Sequence, residues 1–335
     1  MIRAALAATA IIAPVLGAAD TPASRGIPNK FFALCMGAGS ARNLAACGGR
    51  NLRIPPPVPP FPERGEAVSI PGIPNKFFAL CMDTHDSKKR TLGEQAGLLK
   101  ELGYDGAGHL WLDQVPERLA TLDAAGLALF QIYVRIDIGA AQPYDPKLKD
   151  VLPLLKGRPT MLAVIASGAK PSDETQDARG VTIIREIAGL AAPSGVKIAL
   201  YHHTGDWLAR VEDAIRVAEK VGRPDVGVMF NLCHWLRTDK GRDYAALIAR
   251  AGNRLFAVSI NGADERDPKE GWERYIQPLG RGSFDMQAFL ATLVRAGYTG
   301  PIGLQCYGLQ GDARDVLAES MRAWRRYAAG IAAGK

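Results

Sequence analysis

From residue 72 onward, short β-rich runs alternate with amphipathic helical patterns, and this alternation restricts the fold more than any other feature of the chain. Eight such units in about 260 residues match the size of a (β/α)8 barrel, so we predict an α/β protein with one barrel. A doubly wound open sheet is the alternative, and the absence of a glycine-rich dinucleotide motif after the first run disfavours it. The predicted strands are 77–83, 104–111, 128–135, 160–166, 196–202, 226–232, 255–261 and 301–306.

The first residues have the pattern of an export signal. Arg3 precedes an apolar stretch, and small residues follow up to Asp20, so we predict a secretory signal peptide over 1–19 and an exported, periplasmic or secreted protein. An alanine-rich first helix of a cytosolic protein is the alternative. No later apolar run has the length needed to span a bilayer, so no membrane association is expected after cleavage.

An 11-residue segment occurs twice, at 26–36 and again at 72–82. Only one copy can provide the first strand of a closed sheet, and the second copy leads directly into the alternating pattern. We therefore predict that 20–71 is a disordered segment rich in proline, glycine and arginine, and that the barrel occupies 72–330. The sequence leaves open whether 26–71 belongs to the mature protein.

The positive charge of the chain does not indicate a nucleic-acid partner. Of the net +7, residues 1–71 carry seven Lys/Arg and three Asp/Glu, which leaves +3 for the other 264 residues. We therefore expect no nucleic-acid binding by the barrel. Cys81, Cys233 and Cys306 lie in apolar runs, which favours buried thiols over a disulfide framework.

The five histidines all lie where an apolar run gives way to polar sequence: His85, His109, His202, His203 and His234. If those runs are the parallel strands of one barrel, the imidazoles converge on the rim where barrel enzymes have their active sites. Strand alternation sends His202 and His203 to opposite faces. We expect His203 to enter the mouth and His202 to pack, and we predict His203 and His234 as the catalytic residues.

Other polar and aromatic side chains follow the same strand ends. Polar groups can bind hydroxyls while aromatic faces cover C–H surfaces, so this set predicts a small-molecule sugar or polyol as the ligand. A structural role is the alternative for each residue. The predicted substrate-binding residues are His85, His109, Asn231, Trp235, Asn261, Gln305 and Tyr307.

Several of these segments resemble the xylose-isomerase-like TIM barrels, a superfamily that includes sugar isomerases and epimerases, inosose dehydratase and endonuclease IV. The similarity is greatest to an exported bacterial subgroup of sugar phosphate isomerase/epimerase-like proteins. It implies proton abstraction beside a carbonyl, and a divalent cation held by two glutamates, an aspartate and a histidine. The similar segments are 201–207, 230–235, 259–264, 277–285 and 301–308.

The chain departs from the family at the metal-binding positions. Asn231 stands where the family has the aspartate of an Asp-x-x-His element, and Gln305 where it has a glutamate. The fourth strand ends in Ala-Ser-Gly at 166–168, without an acid. Because Mg²⁺ and Mn²⁺ favour carboxylates, we expect no tightly bound metal and at most a weak divalent site at His203, His234, Asn231 and Gln305.

The expected function is that of a carbohydrate-active isomerase or epimerase that abstracts a proton next to the carbonyl of a sugar or keto-sugar. His203 or His234 would serve as acid or base. Asn231, Asn261 and Gln305 would donate hydrogen bonds to the enediolate-like oxygen. The alternatives are a non-catalytic sugar-binding barrel and a keto-sugar lyase or dehydratase of the same superfamily. Endonuclease activity is disfavoured, because no multi-metal site or basic face is evident.

Overall fold

The computed structural model describes residues 72–238, 243–265 and 271–334. The predicted signal peptide at 1–19 and the predicted disordered segment at 20–71 lie outside these residues. In the described part, eight strands form a closed barrel in chain order, and every neighbouring pair is parallel. The strands are β1 Phe77–Leu80, β2 Gly106–Leu110, β3 Ala128–Asp137, β4 Met161–Ser167, β5 Lys197–Tyr201, β6 Val226–Asn231, β7 Leu255–Ile260 and β8 Ile302–Gln305.

The barrel closes where the first and last strands pair. Phe77 lies opposite Ile302, and the register continues to Leu80 opposite Gln305. This pairing excludes the open-sheet alternative and confirms the predicted (β/α)8 barrel. It also brings the end of β8 beside the end of β1, so that residues more than two hundred positions apart share one rim.

Helices connect the strands on the outside of the barrel. No helix among the described residues is long and apolar enough to cross a membrane. The helices are α1 Leu92–Leu102, α2 Val115–Ala125, α3 Leu148–Val151, α4 Asp177–Ala191, α5 Val211–Val221, α6 Leu232–Thr238, α7 Tyr244–Ala251, α8 Trp272–Tyr275, α9 Met286–Arg295 and α10 Ala313–Ala332.

Helix α6 differs from the expectation, because its first residue was predicted to end the sixth strand. The strand stops at Asn231, whose Oδ1 accepts hydrogen bonds from the backbone N–H of His234 at 3.2 Å and from the thiol of Cys233 at 2.9 Å. An asparagine that accepts from a backbone N–H three residues ahead acts as a helix cap. His234 therefore lies in the first turn of a helix rather than at a strand end.

Phe78 and Leu80 of β1 belong to the interior core of the barrel, and glycines on the neighbouring strands make room for Leu80. A Cβ at Gly108 would lie 2.1 Å from Leu80, and one at Gly303 would lie 2.6 Å from the same side chain. Leu80 and Phe78 are 1% and 0% exposed, respectively. The interior below the mouth is therefore a packed core, and only the carboxyl end of the barrel is left for a site.

Substitution by alanine at two glycines of helix α4 is expected to change the stability in opposite directions. A Cβ at Gly180 would lie 2.1 Å from the ring of Trp207, which is fully buried. We expect Gly180→Ala to lower the free energy of unfolding by about 1–3 kcal/mol, because a packed ring cannot retreat. Urea denaturation measures the change.

The matched control is Gly189→Ala in the same helix, where an added Cβ meets nothing within 4 Å. Alanine should raise the stability there by about 0.5–1 kcal/mol through its better helix propensity. Equal effects of the two substitutions would contradict the close packing of Trp207 on Gly180.

Candidate active site at the barrel mouth

Two predicted histidines meet at the carboxyl end of the barrel. The ring centroids of His203 and His234 are 4.1 Å apart, and both rings lie against Tyr201 at 5.8 and 5.6 Å. Tyr201 belongs to the interior core, so the two imidazoles lie directly above the packed barrel interior. Strand β5 and helix α6 thus supply one imidazole each to the same place.

An acidic residue orients His203. Its Nδ1 lies 2.8 Å from Oδ2 of Asp206, which in turn lies 3.3 Å from Nη1 of Arg135. An imidazole lone pair and a carboxylate oxygen repel at 2.8 Å, which favours the tautomer of His203 that has its proton on Nδ1. In the neutral ring the proton-accepting nitrogen is then Nε2, and Asp206 can stabilise the imidazolium that forms when Nε2 takes up a proton.

His234 has the opposite tautomer. Its Nδ1 accepts a hydrogen bond from the backbone N–H of Thr204 at 3.2 Å, with the Thr204 hydroxyl at 3.1 Å. Because Nδ1 is an acceptor, the proton of the neutral ring is on Nε2. Burial, followed by the neighbouring His203 and His202, lowers the pKa of His234 well below its usual value. His234 is therefore a neutral hydrogen-bond donor.

A buried network of tyrosines and amides extends beneath the two imidazoles. Asn231 donates through Nδ2 to the Tyr201 hydroxyl at 2.8 Å, and the Tyr201 and Tyr133 rings are 5.3 Å apart. Tyr133 also interacts with Gln305. Burial raises the pKa of both tyrosines well above the usual value, so both hydroxyls stay protonated. This network links the ends of β3, β5, β6 and β8.

His202 lies on the other face of β5. It is 0% exposed, packs against Phe230, and accepts at Nε2 a hydrogen bond of 3.0 Å from the backbone N–H of Asn231. Its role is to hold the start of helix α6 in place. Burial, with a smaller contribution from His203, lowers the pKa of His202 to about 3.

This shift predicts a loss of stability in acid. The unfolded chain takes up a proton near the usual pKa of 6.5, while folded His202 stays neutral down to about pH 3. Stability is thus complete above about pH 6.5 and falls as the pH drops toward 3. In His202→Gln, the glutamine Oε1 can still accept the hydrogen bond from the Asn231 N–H. The slope of the unfolding free energy against pH should fall by about 1.4 kcal/mol per pH unit in this variant. Urea denaturation between about pH 4 and about pH 5.5 measures it, and an unchanged slope would reject the assignment.

The structure turns two predicted binding residues away from the mouth. His109 is directed toward helix α2, with Nε2 2.6 Å from the carbonyl of Asp113 and Nδ1 3.4 Å from Nε of Arg118. Trp235 is 6% exposed and packs on Phe230 in the outer core. Neither side chain reaches the pair of imidazoles. His109 lies on the helix-facing side of β2, and Trp235 faces the outer core.

The remaining predicted residues lie at the mouth in different roles. Asn261 is buried and uses Nδ2 for the carbonyls of Gly262 and Tyr275, at 2.8 and 2.6 Å. Both amide hydrogens are thereby used, so Asn261 cannot donate to a substrate oxygen as predicted. His85 and Tyr307 form one edge of the rim, with ring centroids 5.4 Å apart.

Sequence reasoning did not single out some residues that complete the site. Asp206 and Thr204 come from the loop after β5, and Arg135 from the end of β3. Trp272 lies against His234 with ring centroids 5.1 Å apart, and Trp111 lies beside Arg135. The spacing of Asp206 three residues after His203 was visible, but its contact depends on the path of the loop.

The residues at the mouth do not fit a tightly held divalent cation. The amide oxygens that would replace the family's carboxylates point elsewhere: Asn231 Oδ1 accepts from His234 and Cys233, and Gln305 Oε1 accepts from the backbone N–H of Tyr307 at 3.0 Å. The Nδ1 atoms of both imidazoles are also engaged. In the part of the chain that the structure describes, no group of three His, Cys, Asp or Glu could hold a metal. We therefore assign no step to one.

The fold and the site define a (β/α)8-barrel protein with its polar centre at the carboxyl ends of the strands. A family model described as "Xylose isomerase-like TIM barrel" matches residues 154–327, and the chain belongs to this family. The match includes β6 and β8, which carry Asn231 and Gln305, and β5 with the loop that follows it and carries His203.

Known proteins show the same architecture. The structure of IolI protein with a bound zinc atom has a TM-score of 0.60 and 19% identity, covering 76% of this chain and 99% of that one. The structure of D-psicose 3-epimerase with D-tagatose from Clostridium cellulolyticum H10 has a TM-score of 0.56 and 16% identity. The similarity covers 75% of this chain and 98% of that one. A 3-dehydroshikimate dehydratase from Pseudomonas aeruginosa is 28% identical over 130 residues, 37% of this chain. The matching segment spans 20% of the length of that dehydratase.

Proposed function

We propose that the protein is a carbohydrate-active isomerase or epimerase that abstracts a proton next to the carbonyl of a sugar or keto-sugar. One arrangement carries this proposal: the ring centroids of two imidazoles lie 4.1 Å apart at the barrel mouth, and the groups beside them favour opposite tautomers. One presents a proton acceptor and the other a proton donor, which is what enolisation of a carbonyl compound requires.

The tautomers assign the steps. Nε2 of His203 takes the proton from the carbon beside the carbonyl, and the C–H electron pair forms the new C=C bond. The carbonyl π pair moves to oxygen, where Nε2–H of His234 donates a hydrogen bond to the developing negative charge. Asp206, 2.8 Å from Nδ1 of His203, stabilises the imidazolium. To give the isomer, the hydroxyl on the carbon that lost its proton passes its own proton to the former carbonyl oxygen and becomes the new carbonyl, while His203 returns a proton to the former carbonyl carbon. To give the epimer, a proton from water reaches the opposite face of the carbon that lost its proton, the C=O bond re-forms, and His203 releases its proton to solvent.

The comparisons support a second outcome from the same intermediate. The matched Pseudomonas protein is named a 3-dehydroshikimate dehydratase. An enolate with a hydroxyl on its β-carbon can expel that hydroxyl, with the electron pair forming the new double bond and a proton supplied to the leaving oxygen. A lyase or dehydratase would therefore need the same two histidines, and the substrate would select the product.

Isotope exchange tests the proposal without knowledge of the product. The protein would be incubated in D2O with D-psicose, D-tagatose and 3-dehydroshikimate, and NMR would follow the C–H beside each carbonyl. We expect exchange or conversion of at least one compound, with an unchanged rate after treatment with a chelator. Binding without exchange would instead favour a non-catalytic sugar-binding barrel. A complete loss of activity on chelation would contradict the metal-independent steps.

The place of action is part of the proposal. The pattern of residues 1–19 supports export to the periplasm or beyond. Fractionation of cells that express the full chain would test this, and recovery of the uncleaved protein in the cytoplasm alone would contradict it.

A further inference from the structure

The side chain of Arg135 reaches the mouth beside the proposed base. Arg135 follows Tyr133 by two positions on β3, so it points the same way as this interior residue. Its side chain is 32% exposed, and Nη1 lies 3.3 Å from each carboxylate oxygen of Asp206. The cation is thus placed at the site, and its ion pair with Asp206 uses only Nη1.

The guanidinium group keeps donors for a ligand. Arginine carries five N–H donors in a planar fork. Only Nη1 of Arg135 hydrogen-bonds to a described residue, which leaves the edge formed by Nε and Nη2 for another acceptor. By contrast, Arg158 at the opposite end of the barrel binds both oxygens of Asp123, at 2.7 and 2.8 Å.

An aromatic side chain with an uncommon backbone conformation lies beside the guanidinium group. Trp111 has φ 67° although it is not glycine, and its ring centroid is 6.0 Å from the guanidinium carbon of Arg135. Its backbone N–H bonds to the carbonyl of Tyr133 at 3.1 Å, which ties it to β3. Strained residues of this kind tend to occur at ligand sites.

The charge of the mouth also suits an anion. The positions where the family has carboxylates are the neutral amides Asn231 and Gln305, and the negative charge of Asp206 is shared by Arg135 and His203.

We propose that Arg135 binds a carboxylate, so that the substrate is a sugar-derived keto acid rather than a neutral keto-sugar. This inference rests on the proposed function, and it specifies the substrate class of that site. The planar edge of Nε and Nη2 matches the two oxygens of a carboxylate. A phosphate dianion would favour a second cation beside Arg135. The described residues that contact Arg135 include no arginine or lysine.

The test compares two compounds that differ only at C1. 2-Keto-D-gluconate has a carboxylate there, and D-fructose has a hydroxymethyl group. By calorimetry, we expect the wild-type protein to bind the acid at least about tenfold more tightly, as a charge-assisted contact is worth. Arg135→Gln should abolish this preference and Arg135→Lys should keep part of it, while the matched control Arg158→Gln should leave it unchanged.

Each other outcome overturns the inference. It fails if wild type binds neither compound, if it binds both equally, or if the preference persists in Arg135→Gln. Tighter binding of D-fructose 1-phosphate than of the acid would assign the site to phosphate instead. Thermal unfolding of each variant shows that it is folded, and the lysine variant keeps the test valid if the glutamine variant is not. Selective binding of the acid without isotope exchange would reject only the proposed function, and exchange without selectivity would reject only this inference.

Discussion

His203→Ala is expected to lower kcat by about 10³-fold on whichever compound shows isotope exchange, because the proposed base is removed. Asp206→Asn should lower kcat by about 10²-fold, since the amide can no longer stabilise the imidazolium and can hold the wrong tautomer. His234→Ala should lower kcat by about 10²–10³-fold, because the developing oxyanion loses its donor. Steady-state kinetics with circular dichroism of each folded variant measures these effects.

The control for Asp206→Asn is Asp123→Asn, which also removes one ion-paired carboxylate but lies on the exposed outside of the barrel. It should leave kcat within about twofold of wild type. If His203→Ala or His234→Ala retained full turnover, the assignment of the two imidazoles would be wrong. An equal loss in Asp123→Asn would show that the effect arises from stability.

Trp324→Ala is expected to lower the free energy of unfolding by about 3–5 kcal/mol, the usual cost of removing a buried large aromatic side chain. Trp324 of helix α10 is 1% exposed and stacks on Phe77 of β1, with ring centroids 4.2 Å apart and planes within 6°. Tyr104 stacks on Phe77 from 5.3 Å. The substitution therefore loosens the last helix from the strand at which the barrel closes. Urea denaturation gives the change.

Leu154→Ala is the control, because Leu154 is 42% exposed. A change within about 0.5 kcal/mol is expected at such a site. A loss for Trp324→Ala as small as that for Leu154→Ala would mean that helix α10 contributes little to the closure of the barrel.

The fold could be predicted because its signals are local and repeat. Each strand is a short β-rich run and each helix has its own apolar face, and both patterns are visible in a few consecutive residues. Helix α6 was missed because it starts directly at Asn231, without a loop. Its start depends on hydrogen bonds that the Asn231 side chain makes after β6 has joined the barrel.

Parts of the site could not be predicted from local patterns, because they too depend on contacts that form only in the folded barrel. A shift of one residue along a strand reverses the direction of a side chain, and this decided that His109 packs outside the barrel although it was predicted at the mouth. The contact of Asp206 with Arg135 joins two strand ends far apart in the chain. No periodicity contains that information.

Sequence was sufficient for the closed α/β architecture and for the end of the barrel that carries the polar groups. Tertiary structure alone decided which imidazoles meet, which tautomer each one has, and which amide donors are already used. The physical reason is range. Burial patterns follow from the properties of neighbouring residues, whereas hydrogen-bond geometry depends on tenths of an ångström between segments that only the folded barrel brings together.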